Sequence, residues 1–374
     1  MDHEKLRKQV HMGIDHRCSS LTSDPYRVQR ILTAAGQEGE KKLTRKIPRI
    51  IVVLSVLLAL GISTAIAAGV IYRNRGLEDM LRITGETREY YGHTGLFDEP
   101  GMSVTQNGVT ITLEESIVDS HAAYLAFRVK GWQPPAGQQP TFASATFTTD
   151  DAGLISTSSG SFFNGLVING EGRAVYPDGS APEDDNAVSF VDENGEMVYA
   201  ISLFSDIGGL IGQTMQVTLT DLGVCTDKQG TTDVKVPGTW AFDWTLNGTD
   251  HSWDFSYLAL DVGTTGATIT AVELSPIHID LTMNVDLTYR DYQRRSDRDP
   301  FIPQFCGVQM KGGTQYRLIT EAGFERYTSP DPDGRVYRML YSLNRVIEPA
   351  RVDYLLFSCL NEAGEQEIAR VKFN

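Results

Sequence analysis

NGVTITLEESIVDSHAAYLAFRVKG, residues 107–131, holds the pattern that recurs through most of this 374-residue chain. Val109, Ile111 and Leu113 alternate with Thr110, Thr112 and Glu114. Ala123, Leu125, Phe127 and Val129 alternate with smaller or polar neighbours from Ala122 onward. Side chains two apart in a strand share a face, so each run predicts one buried face. Asn107-Gly108 is a tight-turn signal, and Asp119-Ser120-His121 supplies the turn between the two runs.

The same pattern continues toward the C-terminus. ASATFTT (143–149), AVSFV (187–191), EMVYAISLF (196–204), TMQVTLTDLGV (214–224), GTWAFDWTL (238–246) and SWDFSYLAL (252–260) each read as short strands. TGATITAVELSPIHIDLTMNVDLTY (265–289), RVYRMLYSL (335–343), ARVDYLLFSCL (350–360) and EIARVKF (367–373) follow. Pro-Asp-Gly and Asp-Glu-Asn-Gly fall between runs as turns. Many short strands with almost no helical period predict a mostly β chain built of antiparallel, immunoglobulin-like sandwiches. About 270 residues exceed one ordinary sandwich. Two are expected, 102–262 and 263–374, with the border at the Val262–Gly266 turn. No internal sequence repeat stands out.

Toward the N-terminus the pattern changes. RGLEDML (75–81) predicts a short helix with Leu77, Met80 and Leu81 on one side, and 85–101 reads as an aperiodic connector, so that 72–101 forms a membrane-proximal segment. Ile50 to Ile71 is an uncharged run of 22 residues between Arg49 and Arg73. About 20 apolar residues cross a bilayer's hydrocarbon, so 50–71 is expected to be a transmembrane helix. Residues 1–49 hold 11 Lys and Arg against 6 Asp and Glu, whereas the remainder holds 22 against 42. Basic residues stay on the cytoplasmic side, which predicts a single-pass protein of the cell membrane with its N-terminus inside and its C-terminal domains outside. Ala65-Ile66-Ala67 resembles a cleavage signal, but the preceding segment and the apolar run are both too long for an ordinary signal peptide. The acidic exterior argues against nucleic acid as a direct partner.

SDPYRVQRILTAAG (23–36) carries helix start and stop signals: Asp24 as cap, Pro25 at the first helical position and Gly36 past the end. Val28, Ile31, Leu32 and Ala35 form one apolar stripe, and Leu6, Val10 and Ile14 form a second. So short a segment buries too little to fold alone. The stripes could lie on the bilayer or pack on each other; the favoured expectation is that these seven residues close around a cytoplasmic protein and fold on binding.

Signatures of catalysis are missing. There is no Gly-x-Ser-x-Gly elbow, no His-Glu-x-x-His and no phosphate loop. His93, His121, His251 and His278 read as structural, His121 in a hairpin turn and His278 within a strand. Glu183-Asp184-Asp185 and Asp331-Pro332-Asp333-Gly334 offer oxygens but lack the spaced calcium loop, so they read as solvated turns. Trp240 and Trp244, with Phe242 between them, fall on one strand face and read as core rather than as a sugar platform. Cys18 is cytoplasmic; Cys225, Cys306 and Cys359 allow at most one disulfide and read as buried thiols. No enzyme activity, cofactor or metal is expected.

Four stretches carry a resemblance: LTSDPYRVQRIL before the apolar run, RGLEDML after it, NGVTITLEESIVDSHAAYLAFRVKG, and GTWAFDWTL followed by ITAVELSPIHIDL. In these the chain resembles single-pass membrane proteins of Gram-positive bacteria that have an external domain of unknown function and are regarded as anti-sigma-factor-like. The resemblance implies a membrane-anchored regulator whose cytoplasmic partner is an extracytoplasmic-function sigma factor. The His-x3-Cys-x2-Cys motif of zinc-binding anti-sigma domains is absent, so any such restraint would work without that zinc fold. The alternative is a surface-exposed binding or adhesion module anchored by its N-terminal helix, with an external ligand the sequence does not name.

Overall fold

The structure, a computed structural model, describes residues 75–169, 173–176, 179–182, 189–226, 231–286, 288, 302–318, 323–328, 334–360 and 365–373. The chain divides into two compact units, Met1–Gly69 and Val70–Asn374. The first unit lies outside the described residues, and with it the 50–71 run, the stripe residues Leu6, Val10, Ile14, Val28, Ile31, Leu32 and Ala35, and Cys18. Both acidic clusters also fall outside them, apart from Gly334. Among the described residues no helix is long and apolar enough to cross a membrane.

The second unit is mostly β, in antiparallel sheets. It opens with helices α1 (Leu77–Met80) and α2 (Gly85–Tyr91). The second of these interrupts the expected connector: Thr84 Oγ1 accepts a hydrogen bond from Thr87 N at 3.1 Å and caps the helix. The strands that follow are β1 (Phe97–Asp98), β2 (Met102–Gln106), β3 (Val109–Val118), β4 (Ala122–Lys130), β5 (Pro140–Thr149), β6 (Thr157–Phe162), β7 (Val167–Ile168), β8 (Ala174–Val175), β9 (Met197–Phe204), β10 (Thr214–Cys225) and β11 (Thr232–Thr245). One sheet runs β1-β3-β4-β9-β6 with β2 also on β3, and a second runs β11-β10-β5. They enclose one core that includes Ile111, Leu125, Phe127, Ile201, Leu219 and Trp240. Asn107 and Gly108 take φ of 46° and 82°, the left-handed pair that a two-residue hairpin turn between β2 and β3 requires.

A second pair of sheets is built from β12 (Trp253–Asp261), β13 (Thr268–Leu274), β14 (His278–Asn284), β15 (Gln304–Met310), β16 (Gln315–Arg317), β17 (Gly323–Tyr327), β18 (Val336–Ser342), β19 (Val352–Leu360) and β20 (Gln366–Lys372). The orders are β12-β13-β14-β18-β17 and β16-β15-β19-β20, around a separate core that includes Ile269, Leu281, Val308, Met339 and Phe357. The two sandwiches share a plan: β3-β4-β9-β6 matches β13-β14-β18-β17, and β5-β10-β11 matches β15-β19-β20. This duplication of topology has no counterpart in a legible sequence repeat.

Three local readings differ from the structure. The Val262–Gly266 turn joins β12 to β13, so the chain changes sandwich at 246–252 and β12 belongs to the second. Within AVSFV, Ser189–Val191 lie outside any strand. The long run 265–289 is broken at Ser275-Pro276-Ile277, where β13 turns back into β14. Proline removes a ladder donor there, and Ser275 Oγ accepts from Ile277 N at 3.0 Å and His278 N at 2.8 Å.

β4 is buried on both faces from Ala122 to Phe127. Ala123, Leu125, Phe127 and Val129 enter the first core. Ala122, Tyr124 and Ala126 enter another cluster, shared with Leu77, Leu81, Ile83 and Tyr91 from the helical segment and with Ile277, Leu340 and Val346 from the second sandwich. This cluster is the seam between the sandwiches. Tyr124 OH donates to the Leu343 carbonyl at 2.6 Å, and Tyr91 OH donates to the Ile347 carbonyl at 3.1 Å. Replacing Tyr124 by Phe strands the Leu343 carbonyl in an apolar seam. A loss of about 1–3 kcal/mol is expected in chemical denaturation; a loss inside experimental error would mean that this bond does not hold the seam.

Trp240, Phe242 and Trp244 alternate with exposed residues on β11 and lie in the first core. Cys225, Cys306 and Cys359 form no disulfide with one another; Cys359 is buried and the other two are partly exposed.

Candidate functional site at the seam

Two hairpin tips meet at the seam, and they are built alike. In the β3–β4 turn, Asp119 N donates to Ala122 O at 3.0 Å, and Asp119 Oδ1 accepts from His121 N at 2.9 Å and Ala122 N at 2.7 Å. In the β13–β14 turn, Ser275 N donates to His278 O at 2.9 Å while its hydroxyl accepts from Ile277 N and His278 N. A short polar side chain thus closes each turn in the same way. Both tips are also tied into their own sandwiches: Ser205 N and Leu210 N donate to the carbonyls of His121 and Ser120, and Leu343 N and Ile347 N donate to those of Ile277 and Pro276.

Across the seam, Asp119 is the common acceptor. Its Oδ2 receives Ser275 Oγ at 2.5 Å and His278 Nδ1 at 2.7 Å. Asp119 and His278 are fully buried and Ser275 equally so. Burial opposes charge on Asp119, but His278, Ser275 and the turn amides outweigh it and hold the carboxyl below its ordinary range. Burial likewise disfavours charging His278, yet Asp119 and Glu273 outweigh that, and its pKa is pushed up to about 10. Glu273, from β13, is held below the ordinary range chiefly by its close contact with His278. His278 Nε2 stands 3.3 Å from Glu273 Oε1, close enough for attraction but without an aligned hydrogen bond.

His121 completes the group. Its Nδ1 lies 2.8 Å from the Ser205 carbonyl oxygen, and its ring centre is 4.9 Å from that of His278. His121, Glu273 and His278 each offer one ligand atom, all within 4.8 Å of one another. Among the described residues, these three form the group that could hold a metal ion. Sequence reading placed His121 in a turn and His278 in a strand as two unrelated structural histidines. His121 does lie in a turn and His278 does open strand β14; what the structure corrects is their separation. The available signal was the pairing of two short polar turn-closers, Asp119 and Ser275, each with a histidine two or three residues on. Of the other described histidines, His93 is exposed and His251 Nε2 lies 3.3 Å from the Thr94 carbonyl.

No family model matches the chain, and no curated protein matches it. Among solved structures, a conserved domain protein from Bacillus anthracis is 14% identical over 76% of this chain and 93% of its own, with a TM-score of 0.42. The C-terminal domain of the Streptococcus agalactiae AgI/II polypeptide BspA is 9% identical over 67% of this chain and 93% of its own, with a TM-score of 0.10. At these scores neither likeness carries a fold or a function to this chain.

Proposed function

We propose that this protein is a membrane-anchored, anti-sigma-factor-like regulator. In this reading 50–71 spans the membrane, the N-terminus is cytoplasmic, and the two sandwiches are external, immunoglobulin-like domains with a sensing rather than a catalytic role. The cytoplasmic stripes hold a soluble partner, an extracytoplasmic-function sigma factor.

The observation that supports it is where the chain goes after the apolar run. Leu77, only six residues past Ile71, is fully buried in the seam, as is Leu81, together with residues from both sandwiches. A module that only displayed a binding surface could hang on a loose tether. Here the tether is part of the core that joins the two external domains, so a ligand that shifts one sandwich against the other acts directly on the membrane-proximal residues.

The test is Ile31→Asp with Leu32→Asp in the full-length protein. Membrane insertion should persist while capture of the sigma factor is lost and its target genes are derepressed. Burying an Ile and a Leu contributes roughly 1.5–3 kcal/mol each, so the double change should weaken capture by at least about 100-fold. Capture as tight as the parent's would overturn the regulatory reading and leave the surface binding module in its place.

A further inference from the structure

Three candidate ligand atoms meet at the seam, within 4.8 Å of one another. A carbonyl oxygen can only accept, so the Ser205 contact assigns the Nδ1 proton of His121 and leaves Nε2 with its lone pair free of that bond. A carboxylate likewise only accepts, so the Asp119 contact assigns the Nδ1 proton of His278 and turns Nε2 toward Glu273, where a bound ion would take the place of the Nε2 proton. That Nε2 is completely buried and has no aligned hydrogen-bond partner. Histidine ligands in metal sites nearly always donate their second ring N–H to a carboxylate or a backbone carbonyl, which sets both tautomer and ring angle. Both supports are present here, one of each kind.

Local packing leaves room for the ion. Gly208 lies beside the His121 ring at φ +75°, and a Cβ there would come within 3.3 Å of Nε2, so the glycine keeps that ring edge clear. The Glu273 side chain is 27% exposed while the histidines are buried, which gives the group one side open to solvent. Ligands about 2.0–2.1 Å from a common zinc ion in a tetrahedral array stand about 3.3 Å apart. The observed spread of up to 4.8 Å has to close by as much as about 1.5 Å, shared among the three side chains, when an ion enters.

The geometry points to a divalent transition-metal site of the zinc class, with His121 Nε2, His278 Nε2 and a Glu273 oxygen as ligands and water in the remaining position. Two imidazoles and one carboxylate suit zinc and its neighbours, whereas calcium takes six or more oxygens. His121 comes from the first sandwich, and Glu273 and His278 come from the second. A bound ion would therefore clasp the two together and stabilise the seam. This inference does not depend on the regulatory reading.

The test is titration of the full-length chain, stripped with chelator, with Zn2+ and separately with Ca2+, reading stoichiometry by calorimetry and melting temperature. His3, His11, His16 and Cys18 of the N-terminal stretch could also take zinc, so the decisive reading is the difference between the parent and cluster variants. Glu273→Gln keeps the shape of the site and removes a charged ligand; His121→Gln removes an imidazole. The parent should bind one Zn2+ equivalent more than the double variant and melt higher with zinc but not with calcium. Glu273→Gln alone should weaken that equivalent by at least about tenfold. Should His121→Gln fail to fold, Glu273→Gln alone decides, since its near-isosteric amide leaves the Asp119 clasp in place. Equal zinc stoichiometry, affinity and melting shift in parent and variants would overturn the site and leave only a buried ion-pair cluster.

Discussion

Asp119→Ala should lower the stability of the Val70–Asn374 unit more than any other single carboxylate change at the seam. The carboxylate is fully buried and accepts from His121 N, Ala122 N, Ser275 Oγ and His278 Nδ1. Truncation removes the closing bonds of one hairpin and leaves a buried imidazole facing an empty space. Removing one partner of a buried pair costs about 3–5 kcal/mol, because the other is stranded without solvent. For a unit of this size that is a fall in melting temperature of roughly 10 °C. Asp119→Asn should cost less, since its carbonyl oxygen can keep the two turn amides while losing the charge opposite His278. Asp261→Ala, exposed on β12 with one hydrogen bond to Thr268, should change stability by no more than about 0.5 kcal/mol. Full-length variants compared by thermal and denaturant unfolding provide the measurement. If Asp119→Ala behaved like Asp261→Ala, the clasp between the two turns would not hold the sandwiches.

Trp240→Ala is the second large effect. The indole is fully buried in the first core, stacks edge-on to Phe142 at 6.0 Å between centroids, and donates Nε1–H to the Val109 carbonyl at 3.2 Å. That bond reaches from β11 in one sheet to β3 in the other, so the same residue fills the core and pins the sheets. Truncation of a buried tryptophan costs about 3–5 kcal/mol from lost transfer energy and from the cavity that remains. Trp240→Phe should recover part of the loss by refilling volume without restoring the hydrogen bond. A nearly unchanged melting temperature, with loss of binding to an external polymer instead, would restore the surface-platform reading of this aromatic face.

Much of the local structure was legible because it rests on short-range physics. Alternation of Val109, Ile111 and Leu113, or of Trp240, Phe242 and Trp244, marks a buried face through the two-residue period of a strand. Asn107-Gly108 marks a turn because its backbone conformation needs residues that tolerate positive φ. These signals determined the class of the chain and most strand positions. The 22-residue apolar run and the two charge compartments were also read from composition alone, and they stand as expectations about residues outside those described.

What only the tertiary structure decided lies between elements. Ala122, Tyr124 and Ala126 read as the weaker, solvent-side half of an alternation, yet they form a second buried face. A small residue gives no sign of burial until another element comes to cover it, and the cover here is supplied by Leu77, Leu81, Ile277 and Leu340. The run through Ser275 and Pro276 looked continuous because period alone does not mark a hairpin whose loop holds apolar Ile277. The strand plan repeated in both sandwiches was invisible for a related reason: topology is set by which strands pair, and many sequences satisfy one pairing. Asp119 and His278 are 159 positions apart in the chain. No local pattern links residues at that separation; two separately folded hairpins had to meet tip to tip before one carboxylate, two imidazoles and Glu273 became a single site.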